Sequence, residues 1–81
     1  PFNSQTTIHF VLPYEVPVEL AVYNLSGQQV AILAQGTREA GTYAVSWEGR
    51  DGSGRELASG VYLYRLEAGG RVQARKLLLL R

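Results

Sequence analysis

Apolar residues occupy alternate positions over most of the chain, and glycine or proline breaks the alternation at short intervals. A repeat of two sends successive side chains to opposite faces of a β-strand, so the pattern reads as strands with one buried face. In Thr6–Leu12, Ile8, Phe10 and Leu12 take one side, with Thr7 and His9 on the other. Pro13 and Pro17 bracket a short connection, because proline has no N–H to give to a sheet. Val18, Leu20 and Val22 alternate with Glu19, Ala21 and Tyr23 in a second strand, and Asn24-Leu25-Ser26-Gly27 reads as a hairpin turn.

Val30, Ile32 and Ala34 predict one side of a third strand, followed by a loop over 36–41. Tyr43, Val45 and Trp47 alternate with Thr42, Ala44 and Ser46 in a fourth. The glycine-rich stretch from Gly49 to Gly54 is a turn, and Arg55 to Ala58 is a candidate short edge strand. Gly60 to Ala68 is rich in Tyr and Val, Gly69-Gly70 is a two-residue hairpin signal, and a last strand runs from Arg71 to Leu80. No segment repeats its apolar residues at helical spacing. The expectation is an all-β fold: an immunoglobulin-like antiparallel β-sandwich of about seven strands, with a small barrel as the alternative.

Composition narrows this picture. A chain of 81 residues is one domain, and 46% hydrophobic with 19% charged residues is the balance of a folded protein. Without cysteine it has neither a disulfide nor a thiolate metal site, and its single histidine excludes a site needing two imidazoles. The longest apolar run, Leu77 to Leu80, is too short to span a bilayer. The opening at Pro1, with neither a methionine nor a signal peptide, reads as residues 1–81 of a longer secreted chain.

Charge changes the picture at one end. Residues 1–40 carry Arg38 against Glu15, Glu19 and Glu39, whereas from Gly70 onward Arg71, Arg75, Lys76 and Arg81 meet no acid. Four basic residues on one strand are too few for a nucleic-acid interface, which needs a broad basic face with interleaved aromatics. An edge strand guarded by charge is the plainer reading.

Candidate chemistry is thin. His9 sits mid-strand among threonines, without the serine and orienting acid of a nucleophilic triad. Glu48, Asp51 and Glu56 lie near one end among glycines, where loop carboxylates are ordinarily solvated. Asp51-Gly52-Ser53-Gly54 has one acid where calcium wants six to eight oxygens, and Gly52-Ser53-Gly54 has no following helix to cradle a phosphate. Trp47 shares a face with Tyr43 and Val45, and Tyr62 and Tyr64 share one with Leu66, so these aromatics read as core; only Tyr14 and Tyr23 are left for a sugar platform. The chain therefore reads as a non-enzyme with no cofactor and no metal.

The run G-x-Y-x-V-x-W, then G-R-D-x-x-G-R, then S-G-V-Y-x-Y-R-L, within residues 39–68, resembles bacterial immunoglobulin-like domains. These include the C-terminal half of the flagellar hook-cap protein and the C-terminal sorting domains of type IX secretion cargo. Gly41, Tyr43, Trp47, Gly60, Tyr62 and Tyr64 carry the pattern, and Ser59-Gly60-Val61-Tyr62 resembles the approach to a tyrosine corner. Pro1-Phe2-Asn3 with Thr7-Ile8 is similar to the N-P-F-N-P-x-T-x-I opening of the sorting domains, with Ser4 in place of a second proline. Arg75-Lys76, four leucines and Arg81 resemble their basic–apolar–basic ending.

The resemblance to sorting domains implies an export address. Its partners would be the type IX translocon, a surface sortase that removes the domain, and the cargo N-terminal to it. Its route would run through the periplasm to the cell surface or beyond. On this reading Arg75, Lys76, Leu77, Leu78, Leu79, Leu80 and Arg81 form the translocon-recognition element. The rival expectations are a hook-cap-type assembly or spacer domain and a carbohydrate-binding module.

Overall fold

The computed structural model describes residues 5–81 and contains six strands: β1 (Thr6–Leu12), β2 (Val16–Tyr23), β3 (Gln29–Arg38), β4 (Gly41–Trp47), β5 (Gly60–Ala68) and β6 (Arg71–Leu79). Every pairing is antiparallel. β1 and β4 make a two-stranded sheet, and the other four make a sheet in the order β3-β2-β5-β6. This is the immunoglobulin-like sandwich expected from the alternation. The Pro1-Phe2-Asn3 opening and Ser4 lie outside the described residues.

The candidate seventh strand at Arg55–Ala58 is reduced to one bridge, Arg50 to Glu56. Its backbone is committed to the loop: Asp51 N donates to Arg55 O at 2.9 Å and Gly54 N to Asp51 O at 3.0 Å. A chain folded on itself this tightly has no free row of donors for a ladder.

Two strands differ from the sequence expectation, and the loop expected over 36–41 shrinks to Glu39 and Ala40, because Gly36, Thr37 and Arg38 extend β3 by pairing with Val18, Pro17 and Val16. β2 begins at Val16 and so includes Pro17, which pairs with Thr37 of β3. Pairing of β2 with β5 starts only at Val18, so the proline sits where its strand has one neighbour and its missing N–H costs no second ladder bond. β3 shows the larger difference. Register shifts fall between Leu20/Ala21 and Val22/Tyr23, leaving Leu33 and Val30 as extra residues between the pairs Leu20–Ala34, Ala21–Ile32, Val22–Ala31 and Tyr23–Gln29. Each bulge breaks the period of two. Ala31 is therefore buried and Leu33 packs inward, while Ile32, expected beside Val30 and Ala34, is 47% exposed.

The core forms two neighbouring clusters. Ile8, Phe10 and Leu12 of β1 meet Val16, Val18 and Leu20 of β2 and Leu66 of β5. Toward the other end Val22, Ala31, Trp47, Tyr62 and Leu79 draw from five strands, and Leu33 and Tyr64 pack against both groups. Phe10 stacks on its cross-strand partner Tyr43 with centroids 5.2 Å apart, and Trp47 meets Tyr62 edge-on at 5.5 Å, joining the two sheets.

Candidate recognition surface on the last strand

β6 is an edge strand: it pairs with β5 along its whole length, from Arg71–Ala68 to Leu79–Gly60, and no other described strand flanks it. The four leucines split by parity. Leu79 is fully buried against Trp47 and Tyr62, and Leu77 packs on the same cluster. Leu78 and Leu80 point the other way and are 37% and 48% exposed. Arg75 and Lys76 are exposed, and neither makes an ion pair among the described residues. Six of the seven candidate residues thus divide into an inward-facing anchor, Leu77 and Leu79, and an accessible set, Arg75, Lys76, Leu78 and Leu80.

Arg81 belongs to neither set. Its chain turns back over the β4–β5 connection, where its guanidinium donates to the carbonyls of Gly49 and Leu57 (2.7 Å) and to Glu56 Oε2 at 3.0 Å, with a longer contact of 3.5 Å to Glu48 O. Its backbone N–H donates to Ser59 Oγ at 2.8 Å. A planar fork with five donors suits this ring of acceptors, whereas an ammonium would satisfy only part of it. Gly49 makes the approach feasible: it is buried with φ at +71°, and a Cβ there would fall 2.6 Å from Arg81 Nη2. Glu56 also faces Arg50 Nη2 at 3.9 Å, and Arg50 reaches Glu48 at 3.8 Å, so the loop carries a chain of alternating charge.

Sequence reasoning placed Arg81 at the end of a basic–apolar–basic motif and missed its acceptors. Three of those are main-chain carbonyls, which carry no residue-specific signal, and the separation in sequence exceeds twenty residues. The glycine at 49 is the one hint.

The remaining motif residues lie on the core side. Tyr62 is buried and its hydroxyl donates to Ala58 O at 2.7 Å; Tyr43 repeats the arrangement with Glu39 O at 2.6 Å. In each case a glycine lies two residues before the tyrosine, Gly41 at φ +151° and Gly60 at φ +156°. Trp47 is 2% exposed and its Nε1–H donates to Arg50 O at 3.0 Å, closing the turn after β4. Tyr64 is half-buried between the two clusters.

The polar candidates stay dispersed. His9 is exposed on β1 opposite Ala44. Asp51 Oδ1 accepts from Ser53 Oγ at 2.7 Å, Ser53 N at 2.9 Å and Arg55 N at 3.0 Å. The Ser53 hydroxyl bond, then the two backbone bonds, hold its carboxyl below the ordinary value of 3.8. Among the described residues no group of three or more His, Cys, Asp or Glu side chains could hold a metal ion, and no helix is long and apolar enough to cross a membrane. Tyr14 is 58% exposed and Tyr23 half-buried, the latter donating to Gln29 Oε1 at 3.3 Å.

Comparison with known proteins fits this architecture. No curated protein matches the chain. Among solved structures, the crystal structure of FlgD from P. aeruginosa superposes with a TM-score of 0.63 at 24% identity, over 93% of this chain and 59% of that one. At that identity the likeness concerns the fold, and this chain spans little more than half the length of its structural relative. The model of the FlgD Ig-like domain family matches residues 2–71, from the segment before β1 to the first residue of β6. With that match over most of its length, the chain belongs to the FlgD Ig-like domain family.

Proposed function

We propose that this domain is a non-catalytic, FlgD-type immunoglobulin-like module that acts by presenting a folded surface to other proteins, as a hook-cap-type assembly or spacer element of a longer chain. The observation that carries this reading is the division of labour in the fold. Trp47 and Tyr62 are spent on the core, the loop acids on hydrogen bonds within their loop and on ion pairs to Arg50 and Arg81, and the exposed side chains of Arg75 and Lys76 on no ion pair among the described residues. Such a module contributes geometry and contact area to a chain whose chemistry lies elsewhere. Deleting residues 1–81 from the parent protein tests it: assembly or partner capture is expected to fail while any catalytic activity of the remainder persists. Loss of that activity in an otherwise folded remainder would argue against a purely presenting role.

A second reading is favoured by the C-terminal geometry. Leu78 and Leu80 are exposed beside Arg75 and Lys76, on a strand whose end is fastened by Arg81. Together with the resemblance of the R-K-L-L-L-L-R ending to sorting domains, this supports a C-terminal export address. It would be read in its folded state by the type IX translocon during transit through the periplasm, and would be removed by a sortase at the cell surface. Residues 1–81 fused to a periplasmically targeted fluorescent protein decide the matter. Surface or extracellular signal in a type IX-competent strain, absent from a translocon-deficient twin, supports the address. Periplasmic retention of the folded fusion in both strains leaves the assembly module standing alone. Truncation after Leu78 removes Leu79, Leu80 and Arg81, and a truncated variant that retains the fold is expected to lose export.

A further inference from the structure

The strongest unassigned feature is the outer edge of β6. Its nine residues, Arg71 to Leu79, pair with β5 in an unbroken register, contain no proline and show no bulge. The opposite edge of the same sheet, β3, is twice bulged and carries Gly36 at φ +109°, devices that spoil an edge as a template. A regular edge leaves a row of backbone donors and acceptors directed at solvent. Here the row is accompanied by Arg71, Arg75 and Lys76, all exposed and none in an ion pair among the described residues.

The charge decides which strand can dock. Two β6 edges brought together would set these cations against each other, which disfavours self-pairing. β1 and β4, the strands of the smaller sheet, carry no Asp, Glu, Lys or Arg, so their edges select nothing by charge. At the Arg71 end the edge also opens on a groove of ≈ 540 Å³ whose floor includes Leu12, Val16, Leu66 and Ala68. A strand laid along β6 would have this groove for side chains at one of its ends.

We propose that the free edge of β6 is a docking site for an extended, acidic segment of a partner protein, which adds as a fifth strand to the β3-β2-β5-β6 sheet with its carboxylates against Arg71, Arg75 and Lys76. Main-chain pairing supplies the contact and the basic side chains supply the choice of partner. The surface is independent of whether the domain serves as an assembly module or an export address. The failure of either reading leaves this prediction in place, and the reverse holds too.

The test uses the 81-residue chain and a capped nine-residue peptide of sequence Glu-Glu-Val-Val-Glu-Glu-Val-Val-Glu, which carries carboxylates on both strand faces as Arg71 and Arg75 on one side and Lys76 on the other require, read by fluorescence anisotropy. Saturable, salt-sensitive binding is expected, with slowed amide exchange confined to β6 and its neighbours. An Arg71→Glu/Arg75→Glu/Lys76→Glu variant is expected to bind about tenfold more weakly or worse. The same peptide N-methylated at every backbone nitrogen keeps every carboxylate but has no N–H to give to the edge, and is expected not to bind. Because this arm leaves the protein unaltered, it remains decisive whatever the triple variant does to folding. Absence of saturable binding, equal binding of the N-methylated peptide, equal binding of a Lys–Val peptide, or protection on β1 or β3 in place of β6 would each overturn the proposal.

Discussion

The guanidinium of Arg81 donates to the carbonyl of Gly49, 32 positions earlier in the chain, and the glycine has no side chain to bar the way. The contact fastens the end of β6 to the loop that follows β4, so a residue just past the strand acts as a clip across the sandwich. Truncating it to alanine removes charge-assisted donors from three carbonyls and a carboxylate, and should cost about 1–3 kcal/mol. Arg81→Lys should recover little of this, since one ammonium with three donors cannot serve all four acceptors. Gly49→Ala should cost as much by the converse route: its Cβ would also stand 3.1 Å from both Leu79 methyl groups, at a φ that disfavours any side chain. Urea midpoints at constant slope measure all three.

The leucine run offers a sharper contrast. Leu79 is fully buried under Trp47 and Tyr62, and Leu79→Ala should destabilise by about 2–5 kcal/mol, most of the stability a domain of this size commands. Leu78→Ala and Leu80→Ala, at exposed positions on the outer face, should stay within about 0.5 kcal/mol of the parent. Thermal or chemical denaturation of the three variants gives the ordering, and equal losses would mean that the outer face is covered.

Much of this fold was readable because β1 and β4 keep the alternation that a one-sided sheet imposes, and because Val18, Leu20 and Val22 of β2 and Tyr62 and Leu66 of β5 are buried on the expected parity. Ala21, expected opposite them, is buried too, in a strand flanked on both sides. Where the alternation misleads in β3, a bulge is responsible. Ile32 shares parity with Val30 and Ala34, yet the extra residues at Val30 and Leu33 turn it outward, and no local residue pattern announces a bulge that lacks a glycine. The site shows the same limit. The charges of β6 are visible in the chain, but that Leu77 and Leu79 anchor while Leu78 and Leu80 remain accessible depends on where the smaller sheet ends. The acceptors of Arg81 are backbone atoms brought near only by the tertiary fold.

Tyr43 and Tyr62 test a repeated device. Each hydroxyl reaches the carbonyl four residues upstream, over a glycine whose φ side-chain residues rarely adopt. Tyr62 sits in the core, so Tyr62→Phe leaves Ala58 O short of a partner in a part-buried site and should cost about 1–2 kcal/mol. The Tyr43 bond is exposed, water replaces the hydroxyl, and Tyr43→Phe should cost no more than about 0.5 kcal/mol. Stability curves for the two single variants check the asymmetry, which follows from burial alone because the bond lengths are nearly equal.

Acid should loosen the loop after β4 before it unfolds the sandwich. Asp51 accepts from Ser53 Oγ and from the backbone N–H of Ser53 and Arg55, all bonds that favour the carboxylate, so its folded pKa lies below the ordinary 3.8. A depressed pKa means that the stabilisation is present at neutral pH, begins to fade as pH falls through the ordinary carboxylate value, and is lost once pH passes below the folded one. Asp51→Asn removes the ionisable group while keeping a carbonyl acceptor, and should flatten the pH dependence of stability in that window. Carboxyl-carbon chemical shifts of Asp51, followed with the amide shifts of Ser53 and Arg55, should titrate together with a midpoint below 3.8. A midpoint at or above that value, or amides that do not follow the carboxyl, would mean that the three bonds do not hold the loop in solution.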